Sequence, residues 1–359
     1  MPHALRPRRL AFLGVCTRGT GQSIFDYADF ALSLFPDIHV GPIICAGQNG
    51  KSDPIAIRIL HQMRKRFGMH LIELPHWPPK PTQIDPLLVS TNTTDLYIQK
   101  YGTLDGVLST APGVRNLVHA VMDARHPHGD VYARNSASLP GCWRTSNQSA
   151  GGAQNCAPVV PHVVRPPEGG KDSSNDASDL REELGIAPNA TVFGRHGATF
   201  TFSLRFVRRA VIEIAHNRSD IVFLFLTTDP FCENYGDGPC PRNIIHLNAS
   251  YDRLRFIRTC DAMLHGRRDG ETFGLAVGEF GVHNKPVLTM NSSSSSYARA
   301  HVEALGSRGV YYWDRDSLLY AILSFNRTEV RSREWRTYGE FEPHAVMRTF
   351  RRVFLGSSE

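Results

Sequence analysis

Two α/β halves, each built on a parallel sheet, are what this sequence predicts. Short runs rich in Val, Ile, Leu and Phe alternate with helix-length amphipathic segments, the signature of repeated βαβ units. Between residues 134 and 178 the composition shifts to Ser, Asn, Gly and Pro, which breaks the alternation near the middle. A chain of 359 residues with 41% hydrophobic content is also long enough to bury one large or two medium cores.

In the first half, "RRLAFLGVC", "HVGPIIC", "MHLIEL", "DGVLST", "NLVHAVM" and "VVPHVV" read as strands, with helices over residues 22 to 34 and 54 to 67. Two polar stretches follow. "NSASLPGCWRTSNQSAGGAQN" reads as a surface loop and "RPPEGGKDSSNDASD" as an interdomain linker. The alternation then resumes with "TVFGRHG", "IVFLFLTT", "NIIHLN", "DAMLHG", "KPVLTMN" and "GVYYW". Helices fall near 201 to 217, 251 to 258, 274 to 283 and 316 to 325. The expected division is an N-terminal domain over 1–165, a linker over 166–178 and a C-terminal domain over 179–340. Two doubly wound domains leave a cleft at the carboxyl ends of their strands, where open α/β folds take ligands.

Charge and cysteine usage narrow the function. The net charge of +6 comes from scattered arginine clusters, "RPRRL", "RKRF", "VRRA" and "FRRVF". Such clusters suit an anionic substrate or peripheral contact with an acidic membrane, and nucleic acid is set aside because no aromatic-basic motif or Cys/His finger occurs. The basic start has a short apolar run and no cleavage pattern, so it reads as a first strand and not a signal peptide. No apolar run approaches the length of a membrane span. A cytoplasmic location is expected, with peripheral membrane association allowed.

The seven cysteines contain no C-x-x-C pair, so neither zinc nor a disulfide scaffold is indicated. Cys16, Cys45 and Cys260 sit in apolar runs and read as core. Cys142 with Cys156, and Cys232 with Cys240, flank polar loops and can bridge in an oxidising compartment. Seven N-x-[ST] triplets, from Asn92 to Asn326, are compatible with a secretory route without establishing it.

Three features compete as phosphate sites. "CAGQNGKSD" places Gly50, Lys51 and Ser52 after a strand, but a P-loop needs glycine where Cys45 stands, so a polar turn is the better reading. "WDRDSLL" offers Asp314 and Asp316 as a metal-binding D-x-D; Asp316 immediately precedes a helix, and an N-cap explains it more simply. The third is "RRDGETFGLAVGEF", where a loop carries Glu271 and a helix expected to start near Phe273 carries Glu279. The amides of Phe273, Gly274 and Leu275 would then face a diphosphate at the positive end of the helix dipole. Two glutamates among Phe273, Leu275 and Val277 need polar partners to offset their desolvation, and sugar hydroxyls supply them. A first-turn carboxylate and a solvated helix residue are the plain alternatives.

At these residues the chain resembles a known family. "HGRRDGETFGLAVGEFGVHNKPVLT" is similar to the Glu-x7-Glu signature of retaining GT-B glycosyltransferases of family four. "RGTGQSIFDYA", "LVHAVMDARHPHGDVYA", "VVPHVV", "VFGRHG" and "FIRTCDAMLHGR" resemble further segments of it, and "EPHAVMRTFRRVF" resembles its terminal helix. The stretch from Tyr132 to Pro158 departs from the pattern, as does the absence of Lys after Arg195.

The resemblance implies the GT-B fold, two Rossmann-like domains facing each other across a cleft, with residues 341–359 packing back on the N-terminal domain. It implies a hexosyltransferase using a nucleotide-diphosphate sugar, retaining anomeric configuration, with no cofactor and no metal. Glu271 would contact the donor sugar, Glu279 the ribose, and Arg195 the departing diphosphate. Arg267, Phe273, Gly274 and Leu275 would complete the donor site. His119 would face the sugar from the N-terminal domain, and Arg18, Gly19 and Thr20 would form a loop closing over donor and acceptor. The acceptor class, glycan, lipid or protein, stays open. A sugar-nucleotide epimerase and a non-catalytic nucleotide-sugar-binding protein are the rival readings.

Overall fold

The computed structural model describes residues 7–47, 53–143, 155–167, 179–234, 238–294 and 296–356. The Gly50–Ser52 turn and residues 168–178 of the expected linker lie outside them. The chain divides into two compact units, Met1–Val163 with Pro343–Glu359, and Val164–Glu342.

The first unit is a six-stranded parallel sheet. Its strands are β1 (Arg9–Val15), β2 (His39–Ala46), β3 (Leu71–Glu73), β4 (Asp95–Lys100), β5 (Arg115–Ala120) and β6 (Val131–Arg134), in the order β3-β2-β1-β4-β5-β6. Helices α1 (Arg18–Leu34), α2 (Pro54–Phe67) and α3 (Pro81–Ser90) connect them. The local causes are plain in α2. Asp53 caps it by accepting the Ile55 amide at 2.9 Å, Pro54 opens it, and Arg64, Lys65 and Arg66 close it. Ile55, Ile59, Leu60, Met63 and Phe67 fall on one stripe and are buried. A short antiparallel pair, β7 (Cys142–Trp143) and β8 (Asn155–Cys156), sets Cys142 opposite Cys156.

Two expected strands are absent. "DGVLST" is irregular because side chains take its backbone groups: Asp105 accepts the Val107 amide, and Asn116 both accepts from the Ser109 amide and donates to its carbonyl. "VVPHVV" makes only an isolated bridge from Val159 to Arg134, since Pro161 has no N–H for a ladder. The stretch Arg18-Gly19-Thr20, expected as a loop, is the first turn of α1, closed by the Gly21 amide on the Thr17 carbonyl at 3.0 Å.

The second unit repeats the plan. Strands β9 (Thr191–His196), β10 (Ile221–Leu226), β11 (Ile244–Leu247), β12 (Ala262–His265), β14 (Val287–Met290) and β16 (Gly309–Tyr312) form a parallel sheet in the order β11-β10-β9-β12-β14-β16. Two-residue strands β13 (Gly270–Glu271) and β15 (Ala298–Arg299) pair beside it. Helices α4 (Arg205–Asn217), α5 (Arg253–Thr259), α6 (Leu275–Val282), α7 (Ala300–Leu305), α8 (Arg315–Leu323) and α9 (Arg327–Arg331) complete the unit. Both sheet faces are covered: in β10, Phe223 and Phe225 enter one core while Val222 and Leu224 enter the other, which is why "IVFLFL" is apolar throughout.

The chain ends in α10 (Pro343–Phe350) and a π-helical stretch, Arg351–Leu355. Within the first unit, Phe350 packs against Phe12, Tyr27, Phe35 and Tyr97.

All three cysteine pairs are bridged: Cys16–Cys45, Cys142–Cys156 and Cys232–Cys240. The first corrects the reading of Cys16 and Cys45 as plain core, because the parallel pairing of β1 with β2 brings the end of one strand against the other. Cys260 alone is free, and it is buried.

Candidate functional site

Glu271 is positioned by its backbone. β12 ends at His265, and Gly266 follows so close to the Phe202 ring that a Cβ would approach it to 2.6 Å. Gly270 has φ +66°, and a Cβ there would lie 2.0 Å from the Ala298 carbonyl oxygen, so only glycine lets β13 meet β15. Glu271 follows at once. Its Oε2 accepts from Arg267 Nη1 at 2.7 Å and its Oε1 lies 3.2 Å from His265 Nε2. Burial pushes the carboxyl pKa up, but the His265 hydrogen bond and the nearby Arg267 charge outweigh it and lower the value to about 2. The side chain is an anion.

A polar chain runs behind it. His265 Nε2 donates to the carboxylate, so a ring with one proton accepts at Nδ1 from Thr289 Oγ1, 2.8 Å away. Thr289 Oγ1 in turn lies 3.1 Å from His301 Nε2, which is also 3.2 Å from the Tyr297 hydroxyl. Tyr297 donates onward to the Met290 carbonyl at 2.8 Å. Burial lowers the His301 pKa to about 3, so its ring is neutral.

The helix after Glu271 starts two residues later than Phe273. Gly274, at φ +84°, is the N-cap of α6, and the Gly278 amide makes the first intrahelical bond, to the Gly274 carbonyl. The amides of Leu275, Ala276 and Val277 therefore have no intrahelical acceptor. Phe273 is a core residue instead: its ring packs on Tyr338 and Phe341, and its carbonyl accepts from the Tyr338 hydroxyl at 2.9 Å. Gly274 is confined on its other side, with a Cβ falling 3.0 Å from His301 Cβ and 3.1 Å from Tyr338 Oη.

Glu279 lies little more than one turn into α6 and is not a solvated helix residue. It is 8% exposed, with Oε1 2.8 Å from Arg253 Nη1 and Oε2 3.0 Å from His196 Nε2. Burial raises its pKa, while Arg253 and His196 lower it further, to about 2. Glu279 is a buried anion and Glu271 a half-buried one, each with protein partners.

Arg195, at the end of β9, is 4% exposed. Its guanidinium bonds Thr228, Thr201 and, at 3.0 Å, the Ala198 carbonyl. Burial lowers its pKa to about 10 while the Glu271 charge opposes the shift; it remains a cation at neutral pH. The second unit thus gathers Arg195, Arg267, Glu271, Leu275 and Glu279 around β9, β12 and the start of α6.

The first unit holds the rest. Gly19 and Thr20 stand in the first turn of α1, which Arg18 opens, and a Cβ at Gly19 meets nothing within 4 Å, so no close approach requires that glycine. His119 is 0% exposed. Its Nδ1 lies 2.6 Å from the Tyr97 hydroxyl, and its ring packs against Tyr27, His162 and Phe354. That corrects the expected sugar-facing role: the aromatic side chains brought together by α1, β4 and the C-terminal segment enclose it. The N-cap reading of "WDRDSLL" is corrected in detail. Asp314, not Asp316, caps α8, accepting the Ser317 amide at 2.8 Å, while Asp316 is exposed beside Arg315.

Sequence reasoning missed His265, Thr289, Tyr297, His301, His196 and Arg253. His265 and His196 carried a signal, each closing an apolar strand. The others depend on long-range packing.

No protein-family model matches the chain, and no curated protein matches it by sequence. Solved structures match over nearly the whole chain. Anabaena Alr3699/HepE, in complex with UDP and glucose, superposes with a TM-score of 0.64 at 14% identity, covering 98% of this chain and 100% of that one. A glycosyltransferase from Rickettsia africae gives 0.63 at 11% identity, covering 98% and 99%. A putative UDP-N-acetylglucosamine 2-epimerase from Listeria monocytogenes gives 0.56 at 12% identity, covering 98% of each chain. At such identities the likeness defines the fold, and the fold is GT-B, with one six-stranded parallel sheet in each α/β unit.

Proposed function

We propose that the protein is a glycosyltransferase that takes a sugar from a nucleotide-diphosphate donor, binds that donor on its second unit, and retains anomeric configuration. The observation that carries the reading is Glu271, an anion held by Arg267 and His265 just ahead of the α6 amides. In this reading the amides of Leu275, Ala276 and Val277 take the diphosphate, with the helix dipole behind them. Arg195 supplies a fixed positive charge as the diphosphate departs, and Glu271 accepts from donor-sugar hydroxyls. Glu279 lies further along the same helix and accepts from the ribose beside Arg253 and His196. The retaining course follows if a diphosphate oxygen takes the acceptor proton on the face the leaving group vacates, and neither metal nor organic cofactor enters the scheme.

The structural likeness to HepE bound to UDP makes uridine diphosphate sugars the first donors to test. Incubating the full chain with UDP-, GDP- and ADP-sugars, and following nucleoside diphosphate release together with thermal shift, is the deciding experiment. Release with retained sugar configuration in the product upholds the reading. Donor that is neither bound nor turned over overturns it.

The epimerase reading has its own motive, since the putative UDP-N-acetylglucosamine 2-epimerase from Listeria monocytogenes shares the fold and the His265–Thr289–His301–Tyr297 chain offers a proton relay at Glu271. It requires a stereoisomeric nucleotide sugar to appear with no acceptor present. The buried His301 ring, held neutral to about pH 3, is better suited to fixing the Glu271 carboxylate than to cycling a proton, which favours transfer.

A further inference from the structure

We infer that this chain is built for an oxidising, glycosylating compartment and carries N-linked oligosaccharide at Asn92, Asn189, Asn248 and Asn326. The inference is independent of the transferase reading and rests on two separate observations.

The first is the cysteine pattern. Six of the seven cysteines are joined as Cys16–Cys45, Cys142–Cys156 and Cys232–Cys240, and the seventh, Cys260, is buried. The bridges serve both units, joining cysteines 29, 14 and 8 positions apart. Thiols are kept reduced in the cytosol, so three bridges in one enzyme-sized chain point to an oxidising lumen. Each bridge forms as two thiols give up two protons and two electrons to an oxidised dithiol protein of that compartment.

The second is the asparagines. Seven of the fifteen head an N-x-[ST] triplet. With Ser and Thr at 46 of 359 residues, chance accounts for about two. The fold then sorts them. Asn147 lies outside the described residues, and Asn291, next to β14, is half-buried. Asn217 is exposed, but its Nδ2 is engaged on the Glu213 carbonyl at 2.8 Å. The remaining four are exposed, Asn92 and Asn189 in turns, Asn248 directly after β11, and Asn326 as the N-cap of α9.

At two of these the local geometry matches the triplet itself. Asn248 Oδ1 accepts the amide of Ser250, and Asn326 Oδ1 accepts the amide of Thr328, in each case the hydroxyl residue of the triplet. The amide oxygen is occupied by the turn at each, and both asparagines are exposed. Attachment forms a bond from Nδ2 to the anomeric carbon of an oligosaccharide carried on a lipid diphosphate. The bond from that carbon to the diphosphate oxygen breaks, and one Nδ2 proton passes to a base of the attaching enzyme. A bulky polar graft at four exposed positions leaves both cores undisturbed.

The test directs the full chain into the secretory pathway of a eukaryotic host with an added leader. The folded product is alkylated under denaturing but non-reducing conditions, then treated with an amidase that converts each glycan-bearing Asn to Asp, and mapped by peptide mass. Conversion at three or more of Asn92, Asn189, Asn248 and Asn326, with Cys260 the single alkylated cysteine, upholds the inference. Conversion at fewer positions, a second alkylated cysteine, or retention of the chain as reduced aggregate overturns it.

Discussion

Arg267 Nη1 donates to Glu271 Oε2 at 2.7 Å, across one helical turn's worth of sequence that is not helical. The contact exists because Gly270 folds the loop back, and it fixes which carboxylate edge is spoken for. With His265 on the other oxygen, Glu271 is oriented before any ligand arrives, and such preorganisation makes a charged group effective against a developing transition state.

Glu271→Gln is therefore expected to lower donor turnover by about 100-fold or more, since the replacement places an N–H against Arg267 or His265 and removes the charge. Affinity for nucleoside diphosphate should change only a few-fold. Turnover by nucleotide release and affinity by calorimetry make the check; parent-like turnover would remove Glu271 from the mechanism.

Acid stability follows from the two glutamates. Their pKa values are lowered from 4.5 to about 2 in the folded chain. A depressed carboxylate contributes stability that is full above its unfolded pKa and lost as pH falls through the folded one. The melting temperature should thus fall between about pH 4.5 and pH 2. Glu279→Gln should flatten that decline and cost about 2 kcal/mol at neutral pH, because Arg253 and His196 lose a charged acceptor. A variant with the parent's acid slope would show that Glu279 does not govern it.

Much of this was legible in advance, and the reason is local. "IVFLFLTT" reads as a strand and is one, and "FGLAVGEF" reads as a helix and is one from Leu275 on, so the second-unit sheet and its helix followed from pattern, while the surroundings of Glu279 depended on Arg253 and His196. What failed depended on partners distant in sequence. The resemblance set His119 against the sugar, whereas α1 and the C-terminal segment supply Tyr27 and Phe354 around it. Cys16 and Cys45 looked apolar until strand pairing brought them together. "DGVLST" had strand composition, but Asn116 took the backbone groups a ladder would need.

Chelation separates the proposed scheme from a metal-dependent one. Transfer should persist within a few-fold in EDTA, the diphosphate charge being met by Arg195 and the α6 amides. Asp314→Ala should lower the melting temperature slightly through the lost cap on α8, with turnover unchanged. Loss of turnover on chelation, restored by manganese, would reassign the diphosphate to a cation.

Arg195→Lys tests the buried cation. An ammonium keeps the charge but cannot reproduce the fork that reaches Thr228, Thr201 and the Ala198 carbonyl together. Turnover should fall by about 100-fold while the melting temperature shifts by only a few degrees, on the order of 1 kcal/mol. Equal turnover in parent and variant would leave Arg195 a purely structural residue.

Two glycines make opposite predictions from the same substitution. At Gly19 the backbone is helical and a Cβ meets nothing within 4 Å, so Gly19→Ala should stabilise the protein by about 0.5 kcal/mol by restricting the unfolded chain. At Gly270, φ is +66° and the added Cβ would sit 2.0 Å from the Ala298 carbonyl oxygen. That contact cannot be relieved by a side-chain rotation, because the obstacle is backbone. Gly270→Ala must push β13 from β15, and Glu271 moves with it, loosening the Arg267 and His265 contacts. The expected result is a loss of about 2 to 3 kcal/mol in denaturant unfolding, with donor turnover reduced at least as far as in Glu271→Gln. A Gly270→Ala chain that unfolds and turns over like the parent would mean that the close pairing of Gly270 with Ala298 does not hold the carboxylate in place.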